Sequence, residues 1–172
     1  MHEAMSLEQD IRNWDGKSSS DIDDVYHRYA NEDGFVVTII QLSKCEVLQK
    51  GATWLLKRYV ENGQKEIETA ELTKIFKQLL KLRRWEAKLH LLQCLPFMRI
   101  AGTEKKLVES FLRACLTDNN KFVRAWAYNG FYELASQYPE YKNEEKQIFD
   151  MALRCEAPSV TAGIRNILKK GF

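Results

Sequence analysis

The sequence predicts an all-α chain: an α-solenoid of about four helical pairs with an N-terminal helical cap, in a single domain over residues 1–172. Three observations predict it. Apolar residues recur with the helical period along nearly the whole chain, only 3 Pro and 8 Gly interrupt it, and its later helices start from almost evenly spaced anchors. Hydrophobic residues make up 45% and charged residues 29%, a globular composition, and 172 residues suffice for a sizeable core.

The cap, residues 1–32, comes first. "SLEQDIRNW" places Leu7, Ile11 and Trp14 on one helical face. "SSSDIDDVYHRYAN" opens with a serine cap and early acids, then sets Ile22, Val25, Tyr26 and Tyr29 on one stripe. The acids Asp21, Asp23 and Asp24 read as solvated residues of a helix start. "DGFVVTIIQLSK" is rich in β-branched residues, yet no partner strand is in sight, so it reads as a buried helix.

From about residue 46, long helices alternate with the breaks "ENGQ", "RR", "AGT", "TDNN", "YPEY" and "EAP". Proline suits a first helical turn, so Pro158 marks a new helix, Pro139 follows the end of another, and Pro96 kinks or ends a third. From Val123, Trp126, Ala127, Gly130, Phe131, Leu134 and Ala135 mark one face. The same offsets from Val160 give Gly163, Ile164, Ile167, Leu168, Gly171 and Phe172. Ala87 gives His90, Leu91, Cys94, Leu95 and Met98, and Ala52 gives Leu55, Leu56, Tyr59 and Val60. The anchors lie 35, 36 and 37 residues apart.

Anchor helices follow other amphipathic helices. "EKKLVESFLRACL" presents Leu107, Val108, Phe111, Leu112, Cys115 and Leu116, and "AELTKIFKQLL" presents Leu72, Ile75, Phe76, Leu79 and Leu80. A two-helix unit cannot bury both apolar faces alone, so units must stack. A helix, an Asp-containing turn and Val-Arg opening a second helix resemble a HEAT repeat of the armadillo-like superfamily, with Asp118, Val123 and Arg124 at that family's relative spacing. Residues 105–138 match well, although the family's first-helix proline is missing near Ser110, and residues 33–172 look like degenerate units. The resemblance implies a right-handed α-α superhelix in which the aspartate caps or bridges, the valine packs inside, and the basic residue often pairs with an aspartate of an adjoining unit.

Charge is uneven. Residues 1–40 carry a net −6, residues 41–106 a net +7 and the remainder a net +1. The resemblance implies that second helices line a concave partner-binding face. Their polar offsets form columns: Arg58, Gln93, Asn129 and Asn166; Lys57, Leu92, Tyr128 and Arg165; Thr53, Lys88, Arg124 and Thr161. The candidate groove is therefore Lys57, Arg58, Lys88, Gln93, Arg124, Tyr128, Asn129, Arg165 and Asn166. A candidate basic edge is Lys74, Lys77, Lys81, Arg83 and Arg84, close to Trp85.

No nucleophile elbow, phosphate-binding glycine loop, zincin motif or dinucleotide fingerprint occurs, so no catalytic residue is expected. Cys45, Cys94, Cys115 and Cys155 stand alone and His2, His27 and His90 do not cluster with them, so neither metal nor cofactor is expected. The cysteines read as buried or half-buried thiols, and His90 as a satisfied core or interface histidine. The N-terminal "MHEAMSLEQD" lacks a signal pattern and no apolar run is long enough to span a bilayer, so a cytoplasmic protein is expected. The expected function is non-catalytic binding of a partner protein through the concave face. The alternative is nucleic-acid binding, as in the HEAT-like DNA alkylation-repair proteins; the Asp–Trp arrangement of that family has no counterpart here.

Overall fold

The computed structural model describes residues 5–63 and 65–171; His2, Gln64 and Phe172, named above, lie outside them. Among the described residues there are ten α-helices, three single-turn 3-10 segments and no strand. None of these helices is long and apolar enough to cross a membrane. The chain forms two compact units, Met1–Cys94 and Leu95–Phe172.

The first unit opens with α1 (Leu7–Asn13), capped by Ser6, and α2 (Ser19–Tyr29), where the Ser18 hydroxyl accepts from the Asp21 N–H. Leu7, Ile11, Ile22, Val25 and Tyr26 are buried, as their spacing predicts. α3 (Phe35–Leu42) is the ambiguous run, and it is helical. It is only half-buried: Phe35, Ile39 and Ile40 face inward while Val37 is 43% exposed. α4 (Glu46–Asn62) ends at Gly63, whose φ of 61° is left-handed backbone that glycine adopts without strain. α5 (Thr69–Gln78) runs into a 3-10 turn at Leu79–Lys81, and α6 (Trp85–Cys94) closes the unit. That tightening rotates Leu80 away from the apolar stripe, so it is 54% exposed rather than buried as the helical period predicts.

α4 is the hub of this unit, packing on α1, α2, α3 and α6, while α3 packs beside α5. Buried polar groups fasten the pairs together. The Gln49 Oε1 accepts the backbone N–H groups of Arg83 (2.8 Å) and Arg84 (2.9 Å), while its Nε2 donates to the Ser43 carbonyl (3.1 Å). One α4 side chain thus ties the turn before its own helix to the turn before α6. Thr53 and His90 share a 2.9 Å hydrogen bond between the same helices, 37 residues apart in sequence. His90 is the satisfied core histidine its position predicts.

In the second unit Pro96 lies in the 3-10 turn Leu95–Phe97, beyond the end of α6. α7 (Lys105–Leu116), α8 (Lys121–Gln137), α9 (Lys142–Cys155) and α10 (Pro158–Leu168) follow, with a 3-10 turn at Pro139–Tyr141 and Pro158 as the first residue of α10. α8 is central, packing on α7, α9 and α10. Gly130 allows the closest approach, because a Cβ there would overlap the buried Leu112 side chain of α7. Tyr128, Phe149, Ala152, Val160, Ile164 and Ile167 form one apolar cluster of α8, α9 and α10.

Burial of the thiols differs from expectation at two positions. Cys94 and Cys115 are buried, whereas Cys45 and Cys155 are exposed. Cys45 is the N-cap of α4 and Cys155 the last residue of α9, where the chain leaves the packed face.

Candidate functional site

The "DNNKFVR" turn has a more specific division of labour than the repeat signature implies. Asn120, not Asp118, caps α8: its Oδ1 accepts the N–H groups of Phe122 (2.9 Å) and Val123 (3.3 Å). Asp118 shapes the turn by accepting from the Asn120 N–H at 2.8 Å. Val123 is fully buried. Arg124 donates from Nη1 to the Asp118 and Asn119 carbonyls (2.9 and 3.2 Å) and from Nε to Glu156 (3.0 Å), ahead of α10. Its guanidinium therefore links the α7–α8 turn to the α9–α10 turn.

The other second-helix candidates are largely engaged in the same way. Arg58 donates to Asp23 of α2 (2.8 Å) and lies over the Tyr26 ring. The hydrogen bond to Arg58 holds the Asp23 carboxyl below its ordinary range, so Asp23 is part of an ion pair and not merely a solvated helix start. Lys57 pairs with Glu61 at 3.1 Å. Tyr128 departs furthest from the expected groove. It is 5% exposed, packs edge-on to Phe149 and donates to Glu156 (3.0 Å), because α9 and α10 cover the offset that the period places on a polar face. Leu92, Thr53 and Thr161 are buried too. Lys88, Gln93 and Asn129 are half-buried, and Arg165 and Asn166 are exposed. The polar columns are thus interrupted within each unit.

The basic edge is different. Ile75 and Phe76 of α5 and Leu79 of the following 3-10 turn face the core, while Lys74, Lys77 and Lys81, spaced i, i+3 and i+7, are exposed. At 1.5 Å per residue the stripe is about 10 Å long. The Gln78 Nε2 donates to the Ser43 Oγ (3.0 Å), and the Ser43 Oγ donates to the Ile40 carbonyl (2.7 Å). This buried link pins the end of α3 to the end of α5 and brings in Lys44, whose Nζ donates to Gln41 (2.9 Å). The result is a shallow depression lined by Lys44, Lys74, Lys77, Gln78 and Lys81. No carboxylate is among those lining residues.

Arg83 and Arg84 extend the basic surface from the next turn, both exposed; Arg84 approaches Glu86 at 3.5 Å. Trp85 beside them is 42% exposed. Acids gather at the other end of the α3–α5 pair, where Glu32, Asp33, Glu66, Glu68 and Glu71 line a second depression together with Lys65, Phe35 and Tyr59.

Lys44, Gln49 and Glu156 escaped the sequence reading. Lys44 joins the lysine stripe only through the pairing of α3 with α5. Gln49 sits inside an apolar run, and Glu156 pairs across 32 residues.

At four further groups burial is the main cause of a shifted acidity. Burial, reinforced by Lys57, lowers His90 to about 4, and burial pushes the Cys94 thiol and the Tyr128 hydroxyl up. Glu145 is raised to about 7 by burial. Among the described residues no group of three or more His, Cys, Asp or Glu side chains is arranged to hold a metal ion. Compared with protein-family models, curated proteins and solved structures, the chain matches none of them.

Proposed function

We propose that this chain is a non-catalytic interaction module of stacked helical pairs, HEAT-like in plan, that binds an acidic segment of a partner protein. The lysine-lined end of the α3–α5 pair is the binding surface. The observation that carries this reading is the convergence of Lys44, Lys74, Lys77 and Lys81 on one depression without a lining carboxylate. Second-helix cations such as Arg58 and Arg124 already hold internal acids, which makes them poor candidates for a ligand.

Several features support the stacked-pair plan. First helices pack on first helices (α3 on α5) and second on second (α4 on α6, α8 on α10). Polar links recur at one repeat length: Ser43–Gln78 spans 35 residues, Thr53–His90 spans 37, and Lys105–Glu140 spans 35. Such nearest-neighbour bonding is what a repeat array uses in place of one central core.

An acidic protein segment fits better than a nucleic acid. A sequence pI of about 8.3 and a net charge of +2 fall short of the strongly basic domains, with pI above about 9, that track phosphate backbones. The acids at the other end of the same helix pair also break any continuous basic path. The test is fluorescence anisotropy with a labelled glutamate-rich peptide at about 50 and 150 mM salt. Binding that weakens with salt and is lost in Lys74→Glu/Lys77→Glu/Lys81→Glu is the expected result. Equal binding by that variant, or no binding at the lower salt, contradicts the reading.

A further inference from the structure

We propose that the depression lined by Lys44, Lys74, Lys77 and Lys81 recognises a phosphorylated side chain carried on the acidic segment that docks there. This rests on the interaction-module reading above and adds the chemistry of the group at its centre.

The argument starts from charge. Four lysines line one depression, and no lining residue carries a compensating carboxylate. Helix dipoles favour cations at the C-terminal ends of α3 and α5, but that effect fades beyond the last turn. Lys74 lies four residues before Gln78, the last residue of α5, and so falls outside it. The like charges therefore repel one another in the free protein, and an anion placed among them relieves that repulsion. A single carboxylate brings one negative charge and two oxygens. A phosphomonoester brings about 1.5 to 2 negative charges at neutral pH and three acceptor oxygens, a closer match to several ammonium groups.

The framework suits such a ligand as well. Lysine acts as a point charge on a flexible stem, so the four amines can close around a compact tetrahedral group without the fixed fork that arginine imposes. The Gln78 amide that lines the depression is held by its bond to Ser43. The footprint is local: the lysine stripe is about 10 Å long, and the acids at the opposite end of the helix pair stop it from extending. That geometry favours one dianionic group over an extended polyanion.

Three peptides of one glutamate- and serine-rich sequence, carrying serine, phosphoserine or glutamate at the centre, provide the test by anisotropy with the full chain at about 150 mM salt. The phosphoserine peptide is expected to bind about tenfold more tightly than the serine peptide. That advantage shrinks as pH falls below the second phosphate pKa of about 6, and it is lost in Lys77→Gln/Lys81→Gln. Circular dichroism checks that these exposed substitutions leave the helices intact. Equal affinity for all three peptides overturns this inference while leaving the acidic-partner reading standing. Failure of every peptide overturns both. Tighter binding of a single-stranded oligonucleotide than of the phosphopeptide assigns the surface to nucleic acid and overturns both as well.

Discussion

The Arg124 guanidinium lies 3.0 Å from the Glu156 carboxylate, and the same side chain holds the Asp118 carbonyl at 2.9 Å. The two side chains of the pair are 22% and 13% exposed, so both are substantially withdrawn from water. Tyr128 donates to the same carboxylate. Arg124→Met removes the Arg124 donors from Glu156, which keeps Tyr128, and from the Asp118 and Asn119 carbonyls. We expect a loss of about 1–3 kcal/mol in urea unfolding, the scale for charged hydrogen bonds away from bulk water. Glu156→Gln on top of Arg124→Met should cost much less than Glu156→Gln alone, because the two residues act as a unit.

Glu145 gives a pH signature in the second unit. It is 1% exposed, its Oε2 finds no hydrogen-bond partner, and its carboxyl is raised to about 7 from an ordinary 4.5. The folded state binds this proton more tightly than the unfolded chain. The contribution is complete below about 4.5 and is lost as pH rises through 7. Glu145→Gln should therefore stabilise the protein by about 1–2 kcal/mol at pH 8, and by little at pH 4.5. Unfolding at the two pH values measures the difference.

His90 has the opposite sign. Its pKa falls from 6.5 to about 4 because burial disfavours the imidazolium, with Lys57 adding to the effect. The unfolded chain then binds the proton more readily, so stability is complete above 6.5 and is lost as pH falls toward 4. We expect about 2 kcal/mol of this loss between pH 7 and 4.5 to disappear in His90→Gln, once its lower starting stability is subtracted.

Gly130 tests the α7–α8 contact. Alanine is the better helix former by about 1 kcal/mol. At this site, however, its Cβ would overlap the fully buried Leu112 side chain and press on Leu95. Gly130→Ala should destabilise by about 1–2 kcal/mol in spite of its propensity. At Gly163, where nothing lies within 4 Å of the added Cβ, the same change should stabilise.

The helices and their breaks were legible because they follow from local rules. The apolar period marks α1, α2, α4 and α7 to α10, while Pro139, Pro158 and Gly63 punctuate them. Leu80 was misread because a 3-10 turn breaks the 3.6-residue count that places it. Tyr128 was misread because burial of a polar offset depends on α9 and α10, which local periodicity does not register. The lysines of α5 were visible as a stripe, but Lys44 reaches them only through the Gln78–Ser43 link, 35 residues apart. Arg124 could be read either as a bridge or as a groove residue, and its partner Glu156 decides for the bridge.

The account's central claim is that the lysine surface, and not the polar side of the second helices, meets the partner. Amide shifts recorded by nuclear magnetic resonance during titration with the glutamate-rich peptide test it most directly. Perturbations clustered at Lys44, Lys74, Lys77, Lys81 and the Arg83–Arg84 turn are the expected result. Perturbations clustered instead at Arg58, Gln93, Asn129 and Asn166, with the α5 lysines unmoved, would contradict it.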